Sequence, residues 1–108
     1  MCSSDLKAID FLVETAPKFA QAKAHRVFLE EARKSKKASL MNSSDQTVLG
    51  KQETYAYSHP EYMELLEGLK VAVEEEERFR WLMVAAQARI EVWKTNQYNT
   101  RAELKAFN

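Results

Sequence analysis

Cysteine, glycine and proline are all scarce in this sequence, which has one cysteine, two glycines and two prolines among 108 residues. A single cysteine, Cys2, excludes an internal disulfide and a cysteine-based zinc site, and it favours a reducing compartment. Because a sheet of several strands requires turns rich in glycine and proline, their scarcity argues against a β protein. These shortages predict an all-α fold.

The chain also lacks a net charge and a long apolar run. Its 16 basic residues balance 16 acidic ones, so the total charge gives no reason to expect nucleic acid or a membrane surface as a partner. No apolar run reaches the roughly 18 residues that span a bilayer. Asp5 and Asp10 interrupt the segment where a secretory signal would need an apolar core. We therefore expect a cytoplasmic protein with no membrane partner.

The charges that are present form three blocks. Residues 1–37 carry eight basic and five acidic side chains, and residues 61–77 carry seven glutamates against Lys70. Residues 78–108 carry six basic side chains against two acidic ones. The acidic middle block is expected to be a solvated face that is attracted to the basic first block.

Apolar residues at helical spacing predict a first helix over about residues 4–40, with Ser3, Ser4 or Asp5 as its cap. Pro17 lies inside this span. Because proline lacks an amide hydrogen and clashes with the preceding turn, a kink or break is expected there. The apolar stripe expected beyond it consists of Phe19, Ala20, Ala24, Val27, Phe28 and Ala32.

A connector is predicted over residues 41–57. Residues 42–47 are polar and rich in turn formers, so they are expected to form the loop of a helical hairpin. Residues 48–57 are compatible with a short helix or with a packed irregular segment, because Gly50 weakens a helix there. We favour the short helix.

A second, longer helix is predicted over about residues 59–106. Ser58 and Glu61 have the spacing of a capping box, in which each side chain accepts a hydrogen bond from the other residue's amide. Pro60 suits the first turn, where no amide donor is needed. No proline interrupts the helical pattern after Pro60.

Residues of the second helix follow the three-four spacing of a left-handed coiled-coil seam, interrupted by one charged residue, Glu76. If the first helix folds back antiparallel, the numbers of paired residues should add to about 100. Lys23 would then lie opposite Glu76, and residues beyond about 96 would overhang. The predicted seam consists of Tyr62, Leu65, Leu69, Ala72, Glu76, Phe79, Met83, Ala86, Ile90, Trp93, Gln97, Thr100 and Leu104.

A second apolar stripe lies outside this seam. It consists of Trp81, Ala85, Ala88 and Val92, again at helical spacing. A hairpin of two helices can cover only one of the two stripes. We therefore expect a homodimer, most simply a four-helix bundle with the second stripe in its interface.

A basic face is expected on the overhanging end of the second helix. Lys94, Tyr98, Arg101 and Lys105 follow one another at spacings of four, three and four residues, which places them on one side. Such residues neutralise phosphates and stack on bases, so they could contact nucleic acid or a protein partner. The alternative is a solvated helix end.

An acidic surface is the other candidate for partner binding. Glu67, Glu74, Glu75 and Glu77 could imitate the charge of nucleic acid towards a nuclease or a defence complex. The alternative is again a solvated face, because consecutive glutamates on a helix point in different directions.

No constellation for catalysis, metal binding or a cofactor is present in the sequence. His25 and His59 have no cysteine partner, no Glu-x-x-His pairing and no glycine-rich loop beside them. We therefore expect a non-enzymatic protein with no metal and no cofactor. Tyr55, Tyr57 and Tyr62 are expected to fill the loop end of the bundle rather than to bind a ligand.

Three segments resemble a group of small helical proteins encoded by tailed bacteriophages. They are RVFLEEARKSKKASLM at 26–41, AYSHPEYMELLEGL at 56–69 and QARIEVWKTNQYNTRAE at 87–103, and the resemblance extends over most of the chain from about residue 15. It implies a phage setting, commonly a gene cluster for recombination or replication, and it implies no catalytic residues.

The function expected from this resemblance and from the helical pattern is that of an accessory factor for phage DNA recombination or replication, acting through protein contacts in the host cytoplasm. Three alternatives remain open. They are an inhibitor of a host defence or nuclease complex, a protein that binds single-stranded DNA, and a structural assembly protein.

Overall fold

A computed structural model of the chain describes residues 3–107, and these form three helices. Helix α1 spans Ser3–Ser43, α2 spans Leu49–Ser58 and α3 spans Pro60–Phe107. The described residues contain no strand. The prediction of an all-α fold is confirmed, and the short helix favoured for the connector is present as α2.

The chain divides into two compact units, each built from a stretch of α1 and a stretch of α3. The terminal unit comprises Met1–Ala20 and Arg78–Asn108, and the central unit comprises Gln21–Glu77. In the central unit Arg26 contacts Glu76, and farther along α1 Lys36 contacts Glu61. Rising numbers on α1 therefore meet falling numbers on α3, which confirms the antiparallel hairpin.

Burial along α3 follows the predicted seam. Tyr62, Ala72 and Glu76 are buried, and every position from 94 to 106 is exposed. The seam therefore ends at Trp93, and the expected overhang is present. Gln97, Thr100 and Leu104, which were also predicted to belong to the seam, are exposed. The other seam positions are half-buried: Leu65, Leu69, Phe79, Met83, Ala86, Ile90 and Trp93.

The stripe predicted for α1 is largely wrong. Ala20, Ala24, Val27 and Phe28 are exposed, and Phe28 leaves 67% of its surface open. A row of covered positions does repeat at three-four spacing along α1, but its members include one threonine, two arginines and one lysine, which a search for apolar residues passes over. They are Ala8, Leu12, Thr15, Phe19, Ala22, Arg26, Leu29, Arg33, Lys36 and Leu40.

Pro17 does not break α1, because the helix continues unbroken on both sides of it. Its side chain is exposed, whereas Thr15 just before it is buried and Phe19 just after it is half-buried. Packing on both sides holds the backbone helical although proline supplies no amide hydrogen to the carbonyl of Val13. The break allowed by the sequence is therefore absent.

The start of α3 differs from the predicted capping box. The Ser58 hydroxyl donates to the Thr54 carbonyl at 2.7 Å, because α2 continues through Ser58. His59 caps α3 instead, since its Nδ1 accepts the Glu61 amide at 3.1 Å. Pro60 disfavours helical backbone at the residue before it, and His59 is accordingly extended, with φ −69° and ψ 136°.

The loop end of the central unit contains its compact core, which consists of Leu40, Ala56 and Tyr62. Tyr57 packs edge-on against Tyr62, with ring centres 5.3 Å apart. Tyr62 is buried as expected, whereas Tyr55 and Tyr57 are exposed. Met41 and Leu66 complete the cluster from its edge.

Candidate interaction surfaces

The charged residue in the α3 seam is paired across the hairpin with Arg26. The Arg26 guanidinium donates to Glu76 through Nε at 2.5 Å and through Nη2 at 3.1 Å, a two-point contact. Nη1 also donates to Glu30, one turn farther along α1, at 3.1 Å. The hydrogen bonds to Glu76 and then to Glu30 raise the pKa of Arg26, so this cation is permanent.

The prediction that Lys23 faces Glu76 is wrong. Lys23 is exposed, and Arg26, almost one helical turn later, occupies the seam. The residue numbers of the observed pair therefore add to 102 rather than to about 100. A planar guanidinium suits this place better than an ammonium, because it satisfies both carboxylate oxygens at once.

The second apolar stripe of α3, called here the Trp81 stripe, lies in the terminal unit and is uncovered. Trp81 and Val92 leave 58% and 60% of their surfaces open, and Ala85 and Ala88 between them are also exposed. The Arg80 guanidinium lies 4.5 Å from the centre of the Trp81 ring but leaves most of the indole accessible. Four apolar positions at helical spacing therefore form one open face.

The position of this stripe follows from helical geometry. Each of its residues comes two positions after a seam residue, for example Trp81 after Phe79 and Val92 after Ile90. Two positions turn the side chain by about 200°, to the side of α3 opposite the seam. A helix that uses its seam for α1 cannot also bury this stripe within the same hairpin.

An open groove of about 330 Å³ runs beside the stripe in the terminal unit. Lys7, Phe11 and Arg89 are among the residues that line it. Ala85 belongs to both the groove and the Trp81 stripe. The accessible apolar surface of this unit is therefore wider than the stripe alone.

The basic tail face, which consists of Lys94, Tyr98, Arg101 and Lys105, lies on the uncovered end of α3. All four side chains are exposed. Lys94 donates to Glu91 at 3.4 Å, a surface pair that contributes little stability. The structure thus presents this face to solvent.

The acidic residues do not form one uniform surface. Glu67, Glu74 and Glu75 are exposed, but Glu77 is half-buried. Glu75 also lies about 100° around the helix from Glu74. This arrangement gives the acidic candidate less support than the sequence alone suggested.

The two histidines have different surroundings. The ring of His59 caps α3, and His25 is exposed on α1. Among residues 3–107, no three side chains of His, Cys, Asp or Glu lie close enough together to hold a metal ion. In the same described range, no helix has an apolar stretch that could cross a membrane.

The fold and the open stripe define this chain as an all-α antiparallel hairpin with an uncovered apolar face. No protein-family model, curated protein or solved structure matches it.

Proposed function

We propose that this chain is a non-enzymatic interaction protein that works as a homodimer, two hairpins packing through the Trp81 stripe into a four-helix bundle. The observation that carries the proposal is the exposure of Trp81 and Val92 on the side of α3 opposite the seam. Contiguous apolar surface on a water-soluble chain marks an interaction site. A tryptophan is the residue most often found at the energetic centre of such sites.

The proposed setting is the host cytoplasm during phage DNA recombination or replication, where the dimer would act as an accessory factor through protein contacts. The resemblance of segments 26–41, 56–69 and 87–103 to helical phage proteins supports this setting. A hairpin with two separate exposed faces also suits such a role, because one face can join two copies while the other contacts a partner.

Replacing Trp81 with glutamate tests the dimer. The substitution puts a charge at the centre of the apolar stripe, and we expect it to raise the dimer dissociation constant at least thirtyfold, on the order of 2 kcal/mol. Light scattering over a concentration series measures the change. Because Trp81 is exposed, circular dichroism should show the helix content unaltered.

Phe28→Glu provides the matched control for this experiment. Phe28 is an exposed aromatic residue on α1, outside the stripe, and its replacement should leave the dimer mass unchanged. Dissociation by Phe28→Glu but not by Trp81→Glu would move the interface to α1. A monomer mass for the unaltered protein at micromolar concentration would refute the homodimer.

A second candidate function, binding of single-stranded DNA, is favoured by the basic tail face. Three cations and Tyr98 share one side of a helix segment that no other element covers. Cations that follow a backbone, together with an aromatic ring for stacking, are the usual means of binding single strands.

Replacing Lys94, Arg101 and Lys105 together with alanine tests this candidate. If each contacts one phosphate, the slope of log affinity against log salt should fall by about two units. Gel shifts with labelled single strands at two or more salt concentrations measure it. The control replaces Lys18, Lys23 and Lys34, which are exposed on α1, and should keep the slope. No gel shift by the unaltered protein at low salt would exclude the activity.

A further inference from the structure

The Trp81 stripe belongs to a longer row of exposed positions whose spacing is the same when read from either end. Arg78 precedes the stripe by three residues and Thr95 follows it by three. The intervals along the row are three, four, three, four and three, so its midpoint lies between Ala86 and Gln87. The whole row lies in the terminal unit and consists of Arg78, Trp81, Ala85, Ala88, Val92 and Thr95.

We propose that the stripe binds the same stripe of a second copy with the two α3 helices antiparallel, on a two-fold axis through this midpoint. The inference rests on the homodimer proposed above and specifies its helix pairing. A two-fold axis places identical patches against each other, so the row must be complementary to its own reverse. A residue of one copy then lies level with the residue of the second copy whose number brings the sum to 173. Ala85, for example, lies level with Ala88 of the second copy.

Side-chain volume favours the antiparallel arrangement. It places the two alanine pairs at the centre, where the helix backbones can approach closely, and Trp81 level with Val92 at both ends. Each end then has one large and one medium side chain. In a parallel pairing, the two Trp81 side chains would face each other, and one turn away two alanines would face each other. The bulky pair would hold the helices apart and leave the alanine pair without close contact.

Charge favours the same arrangement. In a parallel pair, Arg78 would lie level with Arg78 of the second copy, and like charges directly opposed across an interface are unfavourable. In the antiparallel pair Arg78 lies level with Thr95. The Thr95 hydroxyl donates to the Glu91 carbonyl at 3.0 Å, and its oxygen can still accept a hydrogen bond from the guanidinium.

The available apolar area fits a reversible dimer. Leu82 and Val84 flank the stripe and leave 45% and 40% of their surfaces open. With Trp81 and Val92 they offer roughly 400 Å² per copy, about half of what one partner contributes to a standard interface. The pairing is therefore tested at concentrations where light scattering gives the dimer mass.

Cysteine cross-linking tests the pairing. In a Cys2→Ser background, which removes the only native thiol, Arg78→Cys and Thr95→Cys are prepared as separate proteins. Both sites flank the stripe, so its apolar residues stay intact. The two proteins are oxidised alone and as a mixture, and intact mass distinguishes the mixed product from the two like-with-like products.

The antiparallel pair should give the mixed product and lose both like-with-like products. Two Arg78→Cys sites would lie about 25 Å apart along the helices, far beyond the reach of a disulfide. Like-with-like products from each protein alone would overturn the antiparallel pairing in favour of a parallel one. A dimer mass with no cross-link in any sample would also overturn it, while the homodimer itself would stand. A monomer mass would instead refute the homodimer.

Discussion

Lys37 and Tyr57 lie in contact at the loop end of the central unit. The Lys37 ammonium lies 4.7 Å from the centre of the Tyr57 ring. Its hydrogen bond with the Tyr57 hydroxyl raises the pKa of Lys37 above its ordinary 10.5. Because the folded state holds this proton more tightly than the unfolded state, the contribution is complete below pH 10.5 and disappears as the pH rises through the raised pKa.

Replacing Tyr57 with phenylalanine should lower the pKa of Lys37 towards its ordinary value. The ring and its attraction for the cation remain, but the hydroxyl is removed. A side-chain NMR titration of Lys37 measures the change. Tyr55→Phe is the matched control, since the Tyr55 ring packs against His59 and should leave Lys37 as it is. An unaltered pKa of Lys37 in Tyr57→Phe would contradict the assignment.

Arg26 and Glu76 show why a charged pair can occupy a helical seam. Each side chain is partly or wholly covered, and the guanidinium satisfies both oxygens of the carboxylate. A pair of this kind contributes little net stability, because removing charges from water costs about as much as their attraction returns. It does fix which residues of α1 and α3 lie level, since a shifted register would leave both charges covered and apart.

At the scale of the element, α1 passes through Pro17 at a cost. An interior proline destabilises a helix by about 3 kcal/mol, because one hydrogen bond is lost and the ring meets the preceding turn. Part of that loss is offset by the restriction that proline places on the unfolded chain, about 1 kcal/mol. The exposed side chain makes no core contact that would compensate further.

Pro17→Ala should therefore raise the free energy of unfolding by about 2 kcal/mol. Urea denaturation followed by circular dichroism measures it. Lys18→Ala, at the adjacent exposed position, serves as the control and should change stability by only a few tenths of a kcal/mol. Destabilisation by Pro17→Ala would show that the packing of α1 requires a proline-induced bend.

The two long helices differ in how much of them the sequence could predict. The α3 seam was predictable because its apolar residues keep heptad spacing from Tyr62 to Trp93, with one interruption. The α1 seam was not, because Thr15 and Arg26 occupy it while Val27 and Phe28 lie outside. Hydrophobicity alone therefore selects the wrong face of a helix that is apolar on two sides.

The capping box predicted at the start of α3 was wrong because Ser58 belongs to the preceding helix. Ser58 is a better capping residue than His59 by propensity, so the sequence pattern predicts that Ser58 caps α3. The sequence does not reveal that α2 extends through Ser58 and uses its hydroxyl.

At the scale of the whole molecule, the proposed interface and the basic tail face use different sides of α3. The Trp81 stripe lies opposite the seam, whereas Lys94 and Arg101 lie within about 60° of the seam's own direction, beyond its last covered residue. A dimer formed through the stripe would therefore leave the tail face of each copy open. Trp81→Glu and the tail substitutions consequently test two independent properties.

The two tryptophans of α3 have very different surroundings, and this gives the protein two optical reporters. Trp93 ends the seam, and among the described residues its indole nitrogen is buried without a hydrogen-bond partner. Trp81 lies in solvent on the far side of the same helix. Emission from Trp93 would follow the opening of the hairpin, while emission from Trp81 would shift to the blue as a second copy excludes water from it. Association and unfolding can thus be distinguished by the wavelength of tryptophan emission in one untagged sample.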